Sequence, residues 1–363
     1  MKKLMVIPLV AAGMAAMVGC SKTPVKEAAK NDAINLANLD TAVAPGTDFY
    51  QYACGGWMKN NPLKPEYARF GTFDQLRDNN QEQIRTLIEG LSETPGQEGS
   101  VGQKIGMLFA MGMDSVKLNE DGYAPIKDQL AEINKLGTKD ELTKMVATLH
   151  KEGMAPFFAL YVGADEKNSS MNIVQLYQAG LGMGDRDYYL LEDESSQKMR
   201  EAYKNYITRL FTLIGSSPEQ ADAAVNAIMK IERGIAEVSF SREDLRDSQK
   251  NYNKMSIEGF KAKNDLLNWD VYFESMGMMD IKYLDAKQLS FYEGLSALMK
   301  NTTLDEQKYY LTFNLLSSAA PYLSDPFVAA DFDFYGKTMS GRQEQQPRWK
   351  LSLIHISEPT RPY

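Results

Sequence analysis

The sequence predicts a mainly α-helical fold with one small β-hairpin, and two kinds of residue spacing carry this prediction. Apolar side chains recur at intervals of three and four residues in 84–91, 142–149 and 199–211, which places one apolar stripe along each of these segments as a helix. The stripe of the first helix comprises Ile84, Leu87, Ile88 and Leu91. At about 155–178 the spacing changes to alternation, which is typical of strands.

The hairpin is predicted from two β-favouring segments. Phe158, Leu160 and Val162 alternate with other residue types, and 173–177 is again rich in β-favouring residues. The polar sequence ADEKNSS lies between the two segments. We therefore expect a hairpin whose connection is longer than a tight turn.

Later elements follow from helix and turn signals. Pro218 suits a first helical turn, where its missing N–H is not needed, so helices are predicted from Pro218 to about Val238 and from Leu304 to Ala319. The sequence AGLGMGDRDYYL, which contains Gly180, Gly182 and Gly184, has no Lys-Ser/Thr pair and no GxGxxG at a helix start. It predicts a glycine-rich turn before a new helix rather than a nucleotide site.

Two polar features are interpreted as structural. His150 ends an apolar stripe and Gly153 follows it, which suits the carboxyl end of a helix rather than a metal site. The carboxylates of residues 192–194 lie in a polar stretch and are expected to face water.

Composition indicates a globular protein that does not bind nucleic acid. The chain has 363 residues, of which 44% are hydrophobic, so it can bury a large core. Its formal net charge is −8 and it has no basic run. Nucleic-acid binding is excluded on this ground, because it requires clustered lysine and arginine.

The first residues resemble a bacterial lipoprotein signal. Lys2 and Lys3 precede an apolar run that ends in MVGC at Cys20, and this run is shorter than the about 20 residues of a transmembrane helix. We predict a signal peptide at 1–19, lipidation of Cys20 and a flexible tether at 20–38. The protein would then be lipid-anchored to a membrane of the bacterial cell envelope, in the periplasm or at the outer-membrane surface. An ordinary secretory signal is the alternative.

Two blocks near the ends of the chain carry the most specific pattern. The first, DFYQYACGGW followed by RFGTFDQLR, occupies residues 48–77, and the second, FYGKTMSGRQEQQPRWK, occupies residues 334–350. They resemble the amino-terminal signatures of the neprilysin and endothelin-converting-enzyme family of zinc metallopeptidases. The resemblance covers 39–350. It implies a multi-helix cap domain that, with a thermolysin-like catalytic domain missing from this sequence, encloses a cavity for small peptides.

The resemblance implies zinc chemistry, yet the zinc motif is absent. The family holds its metal through HExxH, in which two histidines lie one helical turn apart, and the only histidines here are His150 and His355. Cys20 and Cys54 do not supply the four ligands that a structural zinc usually takes. We expect one zinc in the full-length protein and none bound by this chain, which has no catalytic residue and is predicted to be inactive alone.

The resemblance assigns substrate binding to Arg69, Asp74 and Arg77. In the family, the arginine at the position of Arg69 binds the free carboxylate of short peptides, a role that suits the planar donors of a guanidinium. Asp74 and Arg77 would orient Arg69 or line the pocket. From the residues alone, their separation of three on a helix equally predicts a solvent-exposed ion pair.

The remaining residues of the first block are expected to act by packing or by cross-linking. Tyr52 and Trp57 lie beside Gly55 and Gly56, which favours a close backbone approach fixed by aromatic packing over ligand contact. The resemblance implies that Cys54 pairs with a cysteine in the missing region. The alternative is a small buried hydrophobic residue.

The resemblance stops at Leu351. The sequence LSLIHISEPTRPY, residues 351–363, can be reverse-translated as a transposase mosaic-end sequencing adaptor, and we interpret it as an assembly artefact. A genuine divergent tail is the alternative.

Two functions remain open at this point. The first is the amino-terminal fragment of a secreted zinc metalloendopeptidase that hydrolyses small peptides. The second is a surface lipoprotein that binds a peptide or nutrient without cleaving it. The genomic sequence after codon 350 distinguishes the two, because an in-frame HExxH there supports the peptidase and a stop codon supports the binding protein.

Overall fold

A computed structural model describes residues 35–357 of the chain, with side chains described up to residue 353. Cys20, with the predicted signal peptide and most of the predicted tether, lies outside the described residues, so its lipidation stays a prediction. The chain divides into two compact units, of which the first ends at Pro62 and the second begins at Leu63. No helix within the described range is long and apolar enough to cross a membrane.

The first unit is organised by a close approach between helix α1 (Phe49–Asn60) and the segment before it. Asp48 caps the helix by accepting a hydrogen bond from the backbone N–H of Gln51 at 2.9 Å. A Cβ on Gly56 would overlap the carbonyl oxygen of Ala37, so only glycine allows the two backbones to lie this close. The predicted close approach is confirmed.

The second unit is mostly helical, as predicted. Its helices are α2 (Thr72–Glu93), α3 (Val101–Met113), α4 (Ser115–Asp121), α5 (Lys127–Lys135), α6 (Lys139–Lys151), α7 (Asp187–Leu190), α8 (Glu194–Leu213), α9 (Pro218–Val238), α10 (Ile257–Lys263), α11 (Trp269–Met276), α12 (Leu289–Lys300), α13 (Leu304–Ala319), α14 (Asp325–Asp331) and α15 (Arg348–Ser357). A π-helical segment, Phe332–Met339, continues α14. The helices predicted at 218–238 and 304–319 are confirmed as α9 and α13.

Helix α9 lies in the larger apolar core of this unit and packs against α8, α12 and α13. Ile228, Ile231 and Ile235 recur at helical spacing and are fully buried, which gives α9 one continuous apolar face. Its start is fixed by Ser217, whose hydroxyl accepts from the backbone of Gln220 while the Gln220 side chain accepts from the backbone of Ser217. This reciprocal cap satisfies two helix-end N–H groups.

The predicted hairpin is confirmed and belongs to a four-stranded sheet of order β1-β2-β4-β3. Strands β1 (Phe158–Asp165) and β2 (Asn168–Gln178) are antiparallel. Strand β4 (Tyr283–Ala286) runs parallel to β2, and β3 (Lys254–Ser256) runs antiparallel to β4. The sequence indicated neither β3 nor β4.

The expected long connection between the hairpin strands is wrong. Asp165 pairs with Asn168, so only Glu166 and Lys167 form the turn, and most of ADEKNSS belongs to the strands. Polar residues fit there because residues 168–172 are exposed. Buried Asp165 accepts hydrogen bonds from Lys254 at 2.7 Å and from Tyr252 at 2.9 Å, which satisfies its charge.

A second, smaller core joins α2, α3 and α15 through Ile88, Phe109, Trp349 and Leu353. The stripe predicted on α2 is partly wrong. Ile84 and Ile88 face this core, whereas Leu87 is 68% exposed, because α3 and α15 cover a narrower face of α2 than the spacing suggested. Helix α15 continues past Lys350 to Ser357. The artefact interpretation of 351–363 stays a prediction.

The predicted glycine-rich turn and the predicted exposure of residues 192–194 are confirmed. Gly180 and Gly184 have φ angles of +98° and +78°, values that favour glycine, and they form a turn before α7. The carboxylates of residues 192–194 are exposed.

His150 lies in the last turn of α6 and is held as a neutral ring. Its Nε2 lies 3.2 Å from the carbonyl oxygen of Pro156, which only accepts, so Nε2 carries the proton. Its Nδ1 lies 2.6 Å from the hydroxyl of Tyr272 and accepts from it. Phe158 packs edge-on against the ring at 4.7 Å between centroids. Burial lowers the pKa of His150 to about 4.

Stability should therefore fall in mild acid. The folded-state pKa of His150 is depressed, so its contribution is fully present above the unfolded pKa of about 6.5 and is lost as pH falls towards 4. We expect the unfolding free energy to fall by roughly 2 to 3 kcal/mol between pH 6.5 and pH 4. Urea unfolding of the wild type and of His150→Gln at several pH values measures it. His355→Gln, which removes the other histidine, is the control, and its unfolding free energy should depend on pH as that of the wild type does. The same pH dependence in the wild type and in His150→Gln would contradict the prediction.

Candidate functional site

The second half of the first sequence block and the end of the second block come together at the start of α2. Arg69 lies in the segment that precedes α2, Asp74 lies in its first turn, and Arg77 lies one turn further. Lys350, the last residue of the second block, lies in the first turn of α15, which packs against α2. The candidate site is therefore built from segments that are far apart in sequence.

Lys350, Asp78 and Tyr67 form the contact that joins the two blocks. The Lys350 ammonium donates to Asp78 Oδ1 and to Tyr67 Oη, both at 2.8 Å. The Tyr67 hydroxyl donates to Asp78 Oδ1. Tyr67 and Lys350 are both 6% exposed. A buried ammonium is stable only when it is paired and hydrogen-bonded, and this cluster meets both conditions.

The cluster favours the ionised pair. Burial alone would raise the pKa of Asp78, but hydrogen bonds from Lys350 and Tyr67 outweigh it and the pKa is lowered. Burial alone would lower the pKa of Lys350, but hydrogen bonds to Asp78 and Tyr67 outweigh it and the pKa is raised. Burial and the hydrogen bond to Asp78 raise the pKa of Tyr67, so the phenol stays neutral at neutral pH.

Further contacts tie the second block to the same place. The backbone N–H groups of Gln343 and Glu344 both donate to the carbonyl oxygen of Pro65, at 2.9 and 3.1 Å. The Arg85 guanidinium lies over the Trp349 ring at 4.7 Å from its centroid, a cation–π contact. These bonds fix the segment that carries Arg69 relative to α15.

The three predicted substrate residues differ in their surroundings. Arg69 is exposed and makes no hydrogen bond or ion pair within the described part of the chain. Asp74 accepts from the backbone N–H of Gly71 at 3.0 Å and from Arg77 Nη2 at 2.7 Å. Asp74 is therefore the helix-capping carboxylate of α2, and the expected Asp74–Arg77 ion pair is present. The substrate roles of all three residues stay predictions.

Sequence reasoning did not single out Tyr67, Asp78 or Lys350. All three lie in or next to the two blocks, so their position in a specific pattern was the available signal. Their partnership was not visible, because Asp78 and Lys350 are separated by 272 positions.

Several large apolar side chains of α2 and α3 are exposed. Phe73 and Leu76 of α2 are 89% and 59% exposed, and on α3 Val101 and Met111 are 73% and 68% exposed. Exposed apolar side chains of this size are found at interaction surfaces.

The described residues do not fit a zinc ion. No group of three or more histidine, cysteine, aspartate or glutamate side chains among them is arranged to hold a metal. His150 uses both ring nitrogens within the fold. Cys54 is half-buried and has no disulfide partner among the residues that the structure describes, and its predicted disulfide to the missing region stays a prediction.

Comparison with known proteins identifies the family. The profile of peptidase family M13 matches residues 45–358. The chain belongs to peptidase family M13. The neprilysin and endothelin-converting-enzyme resemblance is thereby confirmed.

Curated relatives and solved structures agree with this assignment. The chain is 29% identical to mouse endothelin-converting enzyme 1 over 97% of its own length and 48% of that protein. It is 29% identical to the human enzyme over 88% of its length and 42% of that protein. The zinc metalloprotease ZMP1 of Mycobacterium tuberculosis superposes with a TM-score of 0.82 at 26% identity, over 89% of this chain and 50% of that one. The chain spans about half the length of the relatives that it matches.

A solved PepO structure from Lactobacillus rhamnosis shares the fold. It has a TM-score of 0.72 at 20% identity and covers 87% of this chain and 50% of that one. Together with ZMP1 it confirms the predicted fold, a mainly helical family M13 architecture with a small sheet.

Replacing Lys350 should destabilise the second unit far more than replacing Lys64, although both lysines contact Asp78. Lys350→Met leaves a mostly buried carboxylate without its main partner, which should cost about 2 to 4 kcal/mol of unfolding free energy. Lys64 is half-exposed and 3.8 Å from Asp78, so Lys64→Met should cost less than about 1 kcal/mol. Urea denaturation, monitored by circular dichroism, measures the unfolding free energy of each variant. Equal losses would show that the buried cluster does not hold α15 on α2.

Proposed function

We propose that this chain acts as the amino-terminal part of a secreted zinc metallopeptidase that hydrolyses small peptides. The observation that carries the proposal is the contact between the second half of the first family block and the end of the second block, made through Tyr67, Asp78 and Lys350, which leaves Arg69 exposed beside it. An exposed guanidinium has its planar donors free for a peptide carboxylate.

The zinc ligands are proposed to lie outside this sequence. The residues described here do not fit the metal, and the chain spans about half of its relatives. Zinc, when bound by the complete protein, activates a water for attack on the peptide bond. The residues of this chain contribute substrate positioning, and the chain alone is expected to be inactive.

The outward apolar side chains of α2 and α3 support the same proposal. Phe73 and Met111 are 89% and 68% exposed, and we propose that the missing part of the protein covers them. Secretion and a lipid on Cys20 belong to the proposal too, and would place the enzyme in the bacterial cell envelope with its substrate cavity outside the cytoplasm.

The proposed activity is tested with the reading frame completed from genomic DNA. The completed protein should cleave a quenched fluorescent peptide, a zinc chelator should abolish cleavage, and this chain alone should show none. Cleavage by the completed protein that resists the chelator would refute zinc chemistry. A stop codon directly after codon 350, with peptide binding but no cleavage, would favour the non-catalytic binding lipoprotein instead.

The role of Arg69 is tested in the completed protein. Arg69→Met should raise KM about 10- to 100-fold for peptides with a free terminal carboxylate, because one charge-assisted contact is lost. KM for the same peptides with an amidated terminus should not change. Arg233→Met, which removes an exposed arginine paired with Glu237, is the control and should leave both values unchanged. A similar rise for both peptide forms would argue against carboxylate binding.

A further inference from the structure

A pocket of about 550 Å³ lies in the second unit. Its walls come from the glycine-rich turn at Gly180–Gly184, from α9 and α13, and from the π-helical segment that carries Tyr335. Its volume is within the range of about 300 to 1,000 Å³ that is usual for small-molecule sites. π-Helical segments are frequent at functional sites.

Glu232 on α9 lines this pocket and is 1% exposed. Its Oε2 accepts from the Tyr189 hydroxyl at 2.6 Å. Its Oε1 accepts from the Tyr203 hydroxyl at 3.0 Å and from the backbone N–H of Gly182 at 3.3 Å. A Cβ on Gly182 would overlap the Tyr203 hydroxyl, so glycine is needed for this approach.

The donors to Glu232 are neutral, and no described residue supplies it with a cation. Among the described ion pairs, the two basic residues nearest to it on α9 are committed elsewhere: Lys230 pairs with Glu306 at 2.7 Å and Arg233 with Glu237 at 3.3 Å. A buried carboxylate without a counter-charge is costly. Burial raises the pKa of Glu232 to about 7, so the group can ionise near neutral pH when a cation arrives.

The rest of the pocket wall offers acceptors. The Nδ2 of Asn314 donates to the carbonyl oxygen of Tyr310 at 2.8 Å. The Oδ1 of Asn314 is therefore a free acceptor, since it has no hydrogen-bond partner within the described residues. Asn314 lines the pocket with Glu232. The N–H of Gly182 is already used by Glu232, and a buried carboxylate repels anions. The buried carboxylate therefore favours a cation over an anion in this pocket.

We propose that this pocket binds a small ligand through a primary ammonium group, which pairs with Glu232 and donates to the amide oxygen of Asn314. The ammonium supplies the missing counter-charge and three N–H donors. The volume admits a ligand of about dipeptide size. This proposal does not depend on the proposed peptidase function.

The test uses the purified chain and three probes: alanyl-alanine amide, its N-acetylated form, and N-acetyl-lysine amide. The first carries its ammonium at the amino terminus, the third carries it on a side chain, and the second has none. We expect the free dipeptide amide to bind with a Kd on the order of 1 mM, and the acetylated form to bind at least about tenfold more weakly. Binding of the lysine probe tells whether a side-chain ammonium is also accepted.

Glu232→Gln keeps the shape of the side chain and should weaken binding of the free dipeptide amide about tenfold or more. Glu237→Gln, on the exposed part of the same helix, is the matched control and should bind like the wild type. Ser318→Trp obstructs the exposed rim of the pocket and should also weaken binding of the free dipeptide amide about tenfold or more. It keeps the test decisive if Glu232→Gln does not fold.

Saturation-transfer NMR and calorimetry measure these affinities, with circular dichroism to confirm folding. Equal binding of the free and acetylated dipeptide amides would overturn the proposal. So would wild-type affinity in folded Glu232→Gln or in Ser318→Trp, or the absence of binding by both ammonium probes.

Discussion

The buried contact of Lys350 with Asp78 and Tyr67 is the constraint on which the arrangement of α2, α3 and α15 depends. The apolar core between these helices is small, and apolar contacts have no direction, so the core alone does not fix how the helices align. The ammonium of Lys350 does, because it is stable in the interior only where it meets the carboxylate. Since Asp78 lies on α2, this requirement places the start of α15 opposite one point of α2. The segment that carries Arg69 is positioned by the same contact.

The sequence predicted those elements whose signals are local. Pro218 predicted the start of α9 from its own type alone. The structure adds caps by Ser217 and Thr303 at the starts of α9 and α13, and such caps also depend only on residues adjacent in sequence. Strands β3 and β4 have only three and four residues, which is too short for a periodic pattern. They form because β2 offers an edge, with Val174 opposite Leu284. Pairing between residues so far apart in sequence cannot be predicted from the local sequence of either strand.

In the candidate site, too, the sequence predicts contacts between neighbours along the chain but not contacts between distant residues. The ion pair of Asp74 with Arg77 follows from their spacing, and the structure contains it at 2.7 Å. Asp74 lies three residues after Gly71, which is the spacing of a helix-capping side chain. The family resemblance instead assigned Asp74 to substrate binding. The partnership of Lys350 with Asp78 was not readable at all, since many carboxylates were available to that lysine and only the folded chain selects one.

Arg69 and Glu232 differ in what their surroundings imply. An exposed guanidinium is well solvated and costs almost nothing to leave unpaired, so the isolation of Arg69 does not by itself require a ligand. Its proposed role depends on the family to which the chain belongs. Glu232 has been removed from water, and its three donors are neutral, so ionising it carries a cost that a cation would offset. For this carboxylate the physical chemistry of burial, rather than resemblance, argues for a ligand of opposite charge.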